Sequence, residues 1–167
     1  SLVNCLLDYV ISGAVRWAEV FRNAGIVDGV WDVSIESELP RHALMIHQSR
    51  LRDNQREGQM LVKIAWNVAK TAIQDGDNSY RKRVLDFVTM GRRFDESISI
   101  DASYEYAVKG IIEVTDRKIK AFDKSGQIIT TPAFIYLLNS DTEHILEYRD
   151  GHDLELKRAA IVLGGDK

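Results

Sequence analysis

Apolar residues recur at every third or fourth position along residues 1–25, with polar residues between them. The recurring positions are Leu6, Val10, Ala14, Trp17 and Phe21. This spacing predicts an amphipathic helix that buries one face. The helix is expected to end at Gly25, because glycine adopts the left-handed cap conformation without steric cost. Charged residues interrupt the segment too often for it to insert into a membrane.

Residues 30–36 alternate between apolar and polar side chains, which predicts a half-buried strand. The apolar members are Trp31, Val33 and Ile35. Pro40 then predicts the first turn of a helix, where its missing N–H group is harmless. Over residues 40–74 the helical pattern is clear at both ends and weak between them. Either one long helix or two helices that meet near Gly58 are therefore expected.

A turn of small and polar residues, 76–79, is predicted to cap a third helix that Gly91 closes. The apolar face of this helix would carry Tyr80, Val84, Phe87 and Val88. Residues 97–100 are a candidate short strand. Asp101 or Ser103 is a candidate cap for the helix that follows, whose apolar face would carry Ala107, Val108, Ile111 and Ile112.

Two short alternating runs, residues 118–123 and 127–131, flank a turn that contains glycine. This pattern predicts a β-hairpin. Pro132 predicts another helix start, and Ser140 with Glu143 matches a capping box. Residues 154–165 predict a final strand.

These elements together predict an α+β fold. The N-terminal half is expected to be largely helical, with an amphipathic helix, a long central helix or helix pair, and a third helix. The C-terminal half is expected to carry strands, including the hairpin. The length of the chain suits a single domain over residues 1–167. The alternative is a helical part over residues 1–93 and an α+β part over residues 94–167.

The single cysteine excludes an intrachain disulfide and fits the cytoplasm or another reducing intracellular compartment. Cys5 lies in an apolar stretch, which predicts a buried small side chain in the core rather than a nucleophile. The three tryptophans, Trp17, Trp31 and Trp66, are likewise expected in the core rather than at a contact surface.

A net charge of -3 conceals a basic middle segment. Residues 1–40 carry two basic and six acidic side chains, and residues 94–167 carry nine and fourteen. Residues 41–93 carry eleven basic and five acidic side chains. An acidic partner would therefore form most of its ion pairs with residues 41–93.

Eight of the eleven basic side chains of this segment are the predicted partner-binding residues. They are Arg50, Arg52, Arg56, Arg81, Lys82, Arg83, Arg92 and Arg93. The planar arginine fork binds carboxylate or phosphate groups through two hydrogen bonds. The expected partner is an acidic protein surface, the acidic end of a second copy of the chain, or nucleic acid. The alternative is that these side chains are solvated, or are neutralised by the acidic flanks of the same chain.

The run RHALMIH, with Arg41, His42 and His47, resembles the arginine-to-histidine motif of HEPN-type ribonucleases. The resemblance implies a helical, dimeric ribonuclease in which the histidine and the arginine act on the 2′-hydroxyl and the scissile phosphate. On a helix, however, residues six apart lie about 120° off the same face. A helix-terminal arginine with a surface histidine is the favoured interpretation.

Residues 106–128, YAVKGIIEVTDRKIKAFDKSGQI, resemble the wing of winged-helix DNA-binding domains. The resemblance implies a helix that ends in Gly-Ile-Ile-Glu, followed by a hairpin whose basic residues touch phosphates. Those residues would be Arg117, Lys118 and Lys120. A purely structural hairpin is the alternative.

The sequence contains none of the motifs HExxH, GxxxxGK[ST], GxGxxG and GxSxG. No catalytic residue, metal site or cofactor is therefore predicted, and the chain is expected to be non-enzymatic. The predicted function is protein–protein interaction, as an assembly subunit of a larger complex that uses the basic central surface. The alternative is nucleic-acid binding, and the third hypothesis is a HEPN-like ribonuclease.

Overall fold

A computed structural model describes residues 1–25, 29–47, 55–89, 100–119, 132–138 and 160–163. The helices described are α1 (Leu2–Ala24), a 3-10 helix (Val33–Glu38), α2 (Gln55–Gln74), α3 (Asn78–Thr89) and α4 (Ala102–Ile119). The strands described are β1 (His42–His47), β2 (Ala133–Leu138) and β3 (Ala160–Leu163). The chain belongs to the helix-rich α+β class.

The chain forms two compact units, each assembled from two separate segments. Unit 1 comprises Ser1–Asp32 and Ile64–Glu113, and unit 2 comprises Val33–Lys63 and Val114–Lys167. The single domain and the boundary at residue 93 stay predictions. Unit 1 holds α1, α3 and most of α2 and α4, whereas unit 2 holds the three strands.

Helix α1 confirms the prediction from the apolar spacing. All five predicted core residues are buried. The Ser1 hydroxyl accepts a hydrogen bond from the Asn4 N–H at 3.3 Å, which satisfies one donor that the first turn leaves free. Gly25 ends the helix in the left-handed conformation, with φ of 71°. Cys5 is half-buried rather than fully in the core.

An aromatic cluster centred on Trp31 fills the core of unit 1. Its ring stacks on Trp17 with 5.8 Å between centroids and meets the edge of Phe21 at 5.9 Å. The Tyr106 hydroxyl accepts a hydrogen bond from the Asp32 N–H at 3.0 Å and donates one to the Val30 carbonyl at 3.3 Å. All three tryptophans are buried, as predicted.

The predicted strand at residues 30–36 is wrong. The chain turns into the 3-10 helix from Val33 onward, and Val33 is 60% exposed although the alternation assigns it to the core. The turn is closed by the Leu39 N–H, which donates to the Glu36 carbonyl at 3.2 Å. Alternation describes a strand only where a neighbouring strand supplies hydrogen bonds, and residues 30–36 pair with none of the three described strands.

Unit 2 contains a three-stranded parallel sheet of order β2-β1-β3. Leu44 in the central strand lies opposite Ile135 on one side and Ile161 on the other. The prediction of a helix at residues 40–47 is therefore wrong. Ala43, Leu44, Met45 and Ile46 are all buried. A parallel strand covered on both faces is a continuous apolar run without alternation, so its sequence does not distinguish it from a helix.

Pro132 precedes a strand and not a helix, which corrects a second helix prediction. Its carbonyl accepts a hydrogen bond from the His42 N–H at 2.6 Å, at the start of the pairing between β1 and β2. Because proline has no N–H group, it is tolerated at the beginning of a strand. Strand β3 lies within the final strand predicted over residues 154–165. The proposed capping box of Ser140 and Glu143 lies outside the described residues.

The helix caps predicted for α3 and α4 are confirmed. The Asp77 Oδ1 accepts from the Ser79 N–H at 2.7 Å, and the Asp101 Oδ1 accepts from the Tyr104 N–H at 2.9 Å. Helix α4 continues to Ile119, through the first two residues of the predicted hairpin. The rest of that hairpin, residues 120–131, lies outside the described part of the chain. So do residues 97–99 of the candidate strand, while Ile100 is not in a strand.

Candidate functional site

Four of the eight predicted partner-binding residues lie outside the described residues: Arg50, Arg52, Arg92 and Arg93. Arg56 lies in the first turn of α2. The remaining three, Arg81, Lys82 and Arg83, lie in the first half of α3. The structure therefore places only this last cluster in detail.

Arg83 turns toward the acidic N-terminal segment. Its Nε lies 3.5 Å from the Asp8 Oδ1 on α1, an ion pair without hydrogen-bond geometry. Burial raises the pKa of the Asp8 carboxyl, and the nearby guanidinium of Arg83 partly offsets the rise. Arg83 is therefore paired with a carboxylate of the acidic N-terminal segment, as in the alternative in which the acidic flanks neutralise the basic side chains.

Arg81 and Lys82 are exposed, and Arg81 lines a groove in unit 1. The groove has a volume of about 810 Å³ and lies between the end of α2, the turn at 75–76, helix α3 and the start of α4. We name it the tyrosine groove, after Tyr80 and Tyr104 in its lining. This volume is within the range of about 300–1,000 Å³ that is usual for ligand clefts.

Gly76 allows Arg81 to rest on the turn beside the groove. A Cβ atom added to Gly76 would lie 3.0 Å from the Arg81 Nη2, and the residue has a φ of 64°, which favours glycine. The Arg81 N–H donates to the Asp77 carbonyl at 2.9 Å. The glycine at position 76 therefore leaves space for the Arg81 guanidinium above the turn.

Two buried tyrosines join α3 and α4 in the lining of the groove. The hydroxyls of Tyr80 and Tyr104 lie 3.0 Å apart, and the residues are 9% and 2% exposed. Burial raises the pKa of the Tyr80 hydroxyl, and the Glu105 carboxylate adds to the rise. Burial also raises the pKa of the Tyr104 hydroxyl, followed by the effects of Tyr80 and Glu105. Both groups are therefore neutral hydrogen-bonding groups at neutral pH.

The remaining lining combines carboxylates with exposed apolar side chains. Asp75 and Glu105 contribute the carboxylates. Leu85 is 64% exposed and Ile100 is 58% exposed. The described lining contains no serine, cysteine, histidine or lysine.

Sequence reasoning placed Tyr80 and Val84 on an apolar face but did not identify the groove. Tyr104 was predicted neither as a partner of Tyr80 nor as a lining residue. The two tyrosines are 24 positions apart, and nothing in the local spacing links them. The available signal was the tyrosine that directly precedes the basic cluster at the start of α3.

The HEPN-like interpretation loses its structural premise. His42 and His47 are the first and last residues of a strand, not part of a helix, and Arg41 directly precedes that strand. In an extended chain, six residues span about 20 Å, so Arg41 and His47 of one chain are held apart. The helical separation of about 120° inferred from the sequence was the wrong reason for setting this pair aside.

The winged-helix resemblance also departs from the structure. Helix α4 does not end at Glu113, and Arg117 lies within it. The Nη1 and Nη2 groups of Arg117 both donate hydrogen bonds to the Glu36 carboxylate, with 3.1 Å between Nη1 and Oε1. This arginine therefore contacts a carboxylate of its own chain. The side chain of Lys118 and the whole of Lys120 lie outside the described part of the structure.

Within the described ranges, no cluster of three histidine, cysteine, aspartate or glutamate side chains is suited to hold a metal ion. None of the helices described there is sufficiently long and apolar to cross a membrane.

Comparison of the chain with protein-family models, with curated proteins and with solved structures finds no match.

Proposed function

We propose that this protein is a non-enzymatic, protein-binding subunit of a larger assembly, and that the tyrosine groove is its contact surface. The observation that carries the proposal is the exposure of two large apolar side chains, Leu85 and Ile100, in a groove that also presents Arg81. Exposed apolar side chains grouped beside polar groups are characteristic of interaction sites.

The composition of the groove supports a protein partner. Arginine is among the residue types that are enriched at protein interfaces, and the exposed side chains of Leu85 and Ile100 supply apolar area that a partner can bury. The two carboxylates, Asp75 and Glu105, disfavour a polyanion such as nucleic acid at this place because like charges repel. Among the described residues of the basic middle segment, Arg81 is the basic side chain in the lining, and Lys82 follows it on α3.

The proposal is tested by charge introduction in the cells from which the protein comes. Leu85→Glu, carried on a tagged chain, is expected to abolish co-purification of the partner, since a carboxylate would be desolvated in the apolar part of the interface. Val30→Glu is the matched control because Val30 is 92% exposed and lies outside the groove lining. An intact complex with Leu85→Glu, or the same loss with Val30→Glu, contradicts the proposal.

Nucleic-acid binding is the second candidate, and a different observation favours it. The three described strands are parallel, and in the order β2-β1-β3 the chain passes from β1 to β2 on one side and then from β2 to β3 on the other side of β1. Open parallel sheets bind ligands outside the carboxyl ends of their strands at such a position. Arg50 and Arg52 follow the last residue of β1 by three and five positions in the sequence.

This second candidate predicts salt-dependent affinity for RNA or DNA. Each phosphate contact adds about 0.7 to 0.9 to the slope of log K against log salt, so Arg50→Glu with Arg52→Glu should reduce the slope by roughly 1 to 2. Arg81→Glu serves as the control, because this residue lies in the tyrosine groove of unit 1. Absence of binding by the unmodified chain at low salt removes this candidate.

A further inference from the structure

We infer that the tyrosine groove recognises a peptide segment of the partner that presents one aspartate or glutamate beside an aliphatic residue. Arg81 and the hydroxyl pair of Tyr80 and Tyr104 would bind the carboxylate. The inference rests on the proposed function, because it specifies which protein chemistry the groove takes.

The first support is the state of Arg81. In unit 1, Arg22 binds Asp101 through two nitrogens at 2.7 and 3.0 Å, and Arg83 lies against Asp8. Within the part of the chain that the structure describes, no carboxylate pairs with Arg81, which instead rests over Gly76 at the groove. A guanidinium fork that no carboxylate of the described residues occupies is suited to bind one from a partner through two hydrogen bonds.

The second support is the hydrogen-bond count of the tyrosine pair. Each tyrosine hydroxyl has one hydrogen to donate, and the bond between Tyr80 and Tyr104 uses only one of the two. Neither hydroxyl has another partner among the described residues, and both residues are more than nine-tenths buried. A buried donor requires an acceptor, so the second hydrogen favours a ligand that brings an oxygen into the groove.

The third support concerns the rest of the ligand. Leu85 and Ile100 form an exposed apolar part of the lining, which suits an aliphatic side chain next to the bound carboxylate. Asp75 and Glu105 oppose the accumulation of further negative charge in the groove. A single carboxylate with an apolar neighbour therefore fits the lining better than a polyanion does.

The test uses two blocked pentapeptides that differ by one functional group, Gly-Leu-Asp-Leu-Gly and Gly-Leu-Asn-Leu-Gly. Both are titrated into the whole 15N-labelled chain, and binding is followed through the amide signals of α3. The aspartyl peptide is expected to bind at least tenfold more tightly than the asparaginyl peptide. Arg81→Gln should bring the ratio of the two affinities close to one.

Lys109→Gln is the matched control, because Lys109 is an exposed cation of unit 1 that lies outside the groove lining and donates to the Gly29 carbonyl. It should leave the tenfold ratio unchanged. The double variant Tyr80→Phe with Tyr104→Phe should lower the ratio severalfold, and thermal unfolding establishes that each variant is folded.

Equal affinity for the two peptides, binding of neither, or an unchanged ratio in Arg81→Gln would overturn the carboxylate inference. These outcomes leave the proposed function standing if Leu85→Glu still removes the partner. If the unmodified chain shows no preference between the two peptides and Leu85→Glu still yields an intact complex, the carboxylate inference and the proposed function are both rejected.

Discussion

The hydroxyl of Tyr80 on α3 lies 3.0 Å from the hydroxyl of Tyr104 on α4, and this buried bond joins the two helices beside the groove. It connects residues that are 24 positions apart in the sequence. Because each residue is almost fully buried, removing one hydroxyl leaves the other without its partner in a poorly solvated place.

Substitution of either tyrosine by phenylalanine should therefore destabilise the protein, by about 1–2 kcal/mol. The double variant should cost no more than a single one, because no hydroxyl is then left unpaired. Urea unfolding of the unmodified chain, the two single variants and the double variant gives the four free energies of unfolding of a double-mutant cycle. Strictly additive losses would show that the two hydroxyls do not depend on each other.

The same pair predicts loss of stability at alkaline pH. Burial, as the largest cause, raises the pKa of both hydroxyls above the unfolded value, so the folded state holds these protons more firmly. Their contribution to the free energy of unfolding is full below about pH 10 and is lost as the pH rises beyond that value. Between pH 8 and pH 11 the free energy of unfolding, measured in urea, should decrease less for the double phenylalanine variant than for the unmodified chain. Equal decreases for the variant and the unmodified chain would contradict this account.

The Asp101 carboxyl predicts a loss of stability at acid pH, in contrast to the alkaline loss predicted from the tyrosine pair. The hydrogen bond from Arg22, as the largest cause, lowers the pKa of the Asp101 carboxyl to about 2. Its contribution to stability is present above the unfolded value of 3.8 and is lost as the pH falls toward 2. Asp101→Asn retains a good helix cap but removes the ion pair, and an exposed pair of this kind contributes about 0.5 kcal/mol.

The urea midpoint of Asp101→Asn should therefore lie slightly below that of the unmodified chain at pH 7 and approach it near pH 2.5. A difference between the two proteins that stays constant from pH 7 to pH 2.5 would exclude an electrostatic origin.

Gly110 should tolerate no side chain. A Cβ atom at this position on α4 would lie 2.3 Å from the Trp31 Cζ3, in the centre of the aromatic cluster. Gly110→Ala is expected to destabilise the protein by about 1–3 kcal/mol and to change the tryptophan fluorescence, because the ring must shift. Gly25→Ala is the control, since a Cβ there meets nothing within 4 Å and the cost is limited to the left-handed backbone. Equal spectra of the unmodified chain and Gly110→Ala would contradict the packing described.

Local patterns predicted the elements whose causes are local. The apolar spacing of α1, its cap at Gly25, the cap of α3 within residues 76–79 and the cap of α4 at Asp101, one of two candidates, all follow from residues close in sequence. The α+β class followed from the same kind of reasoning. These features depend on backbone conformation and on hydrogen bonds between neighbours in sequence, which a single sequence contains.

The remaining features depend on distant partners. The sequence of β1 predicted a helix because its hydrogen-bonding partners, β2 and β3, come about 90 and 118 residues later, and because residues 42–46 are buried on both faces without alternation. The pairing of Tyr80 with Tyr104 and the contact of Arg83 with Asp8 have the same character. Neither leaves a pattern in the residues around it.

Photo-crosslinking from position 85 tests the central claim, that the tyrosine groove is the contact surface, most directly. A photoreactive amino acid replaces Leu85 in one chain and Val30 in another, both exposed positions of unit 1. The account predicts one discrete protein adduct from position 85, its loss when Arg81→Glu is added, and no adduct from position 30. The same adduct from both positions, or none from position 85 in cells that contain the partner, would contradict it.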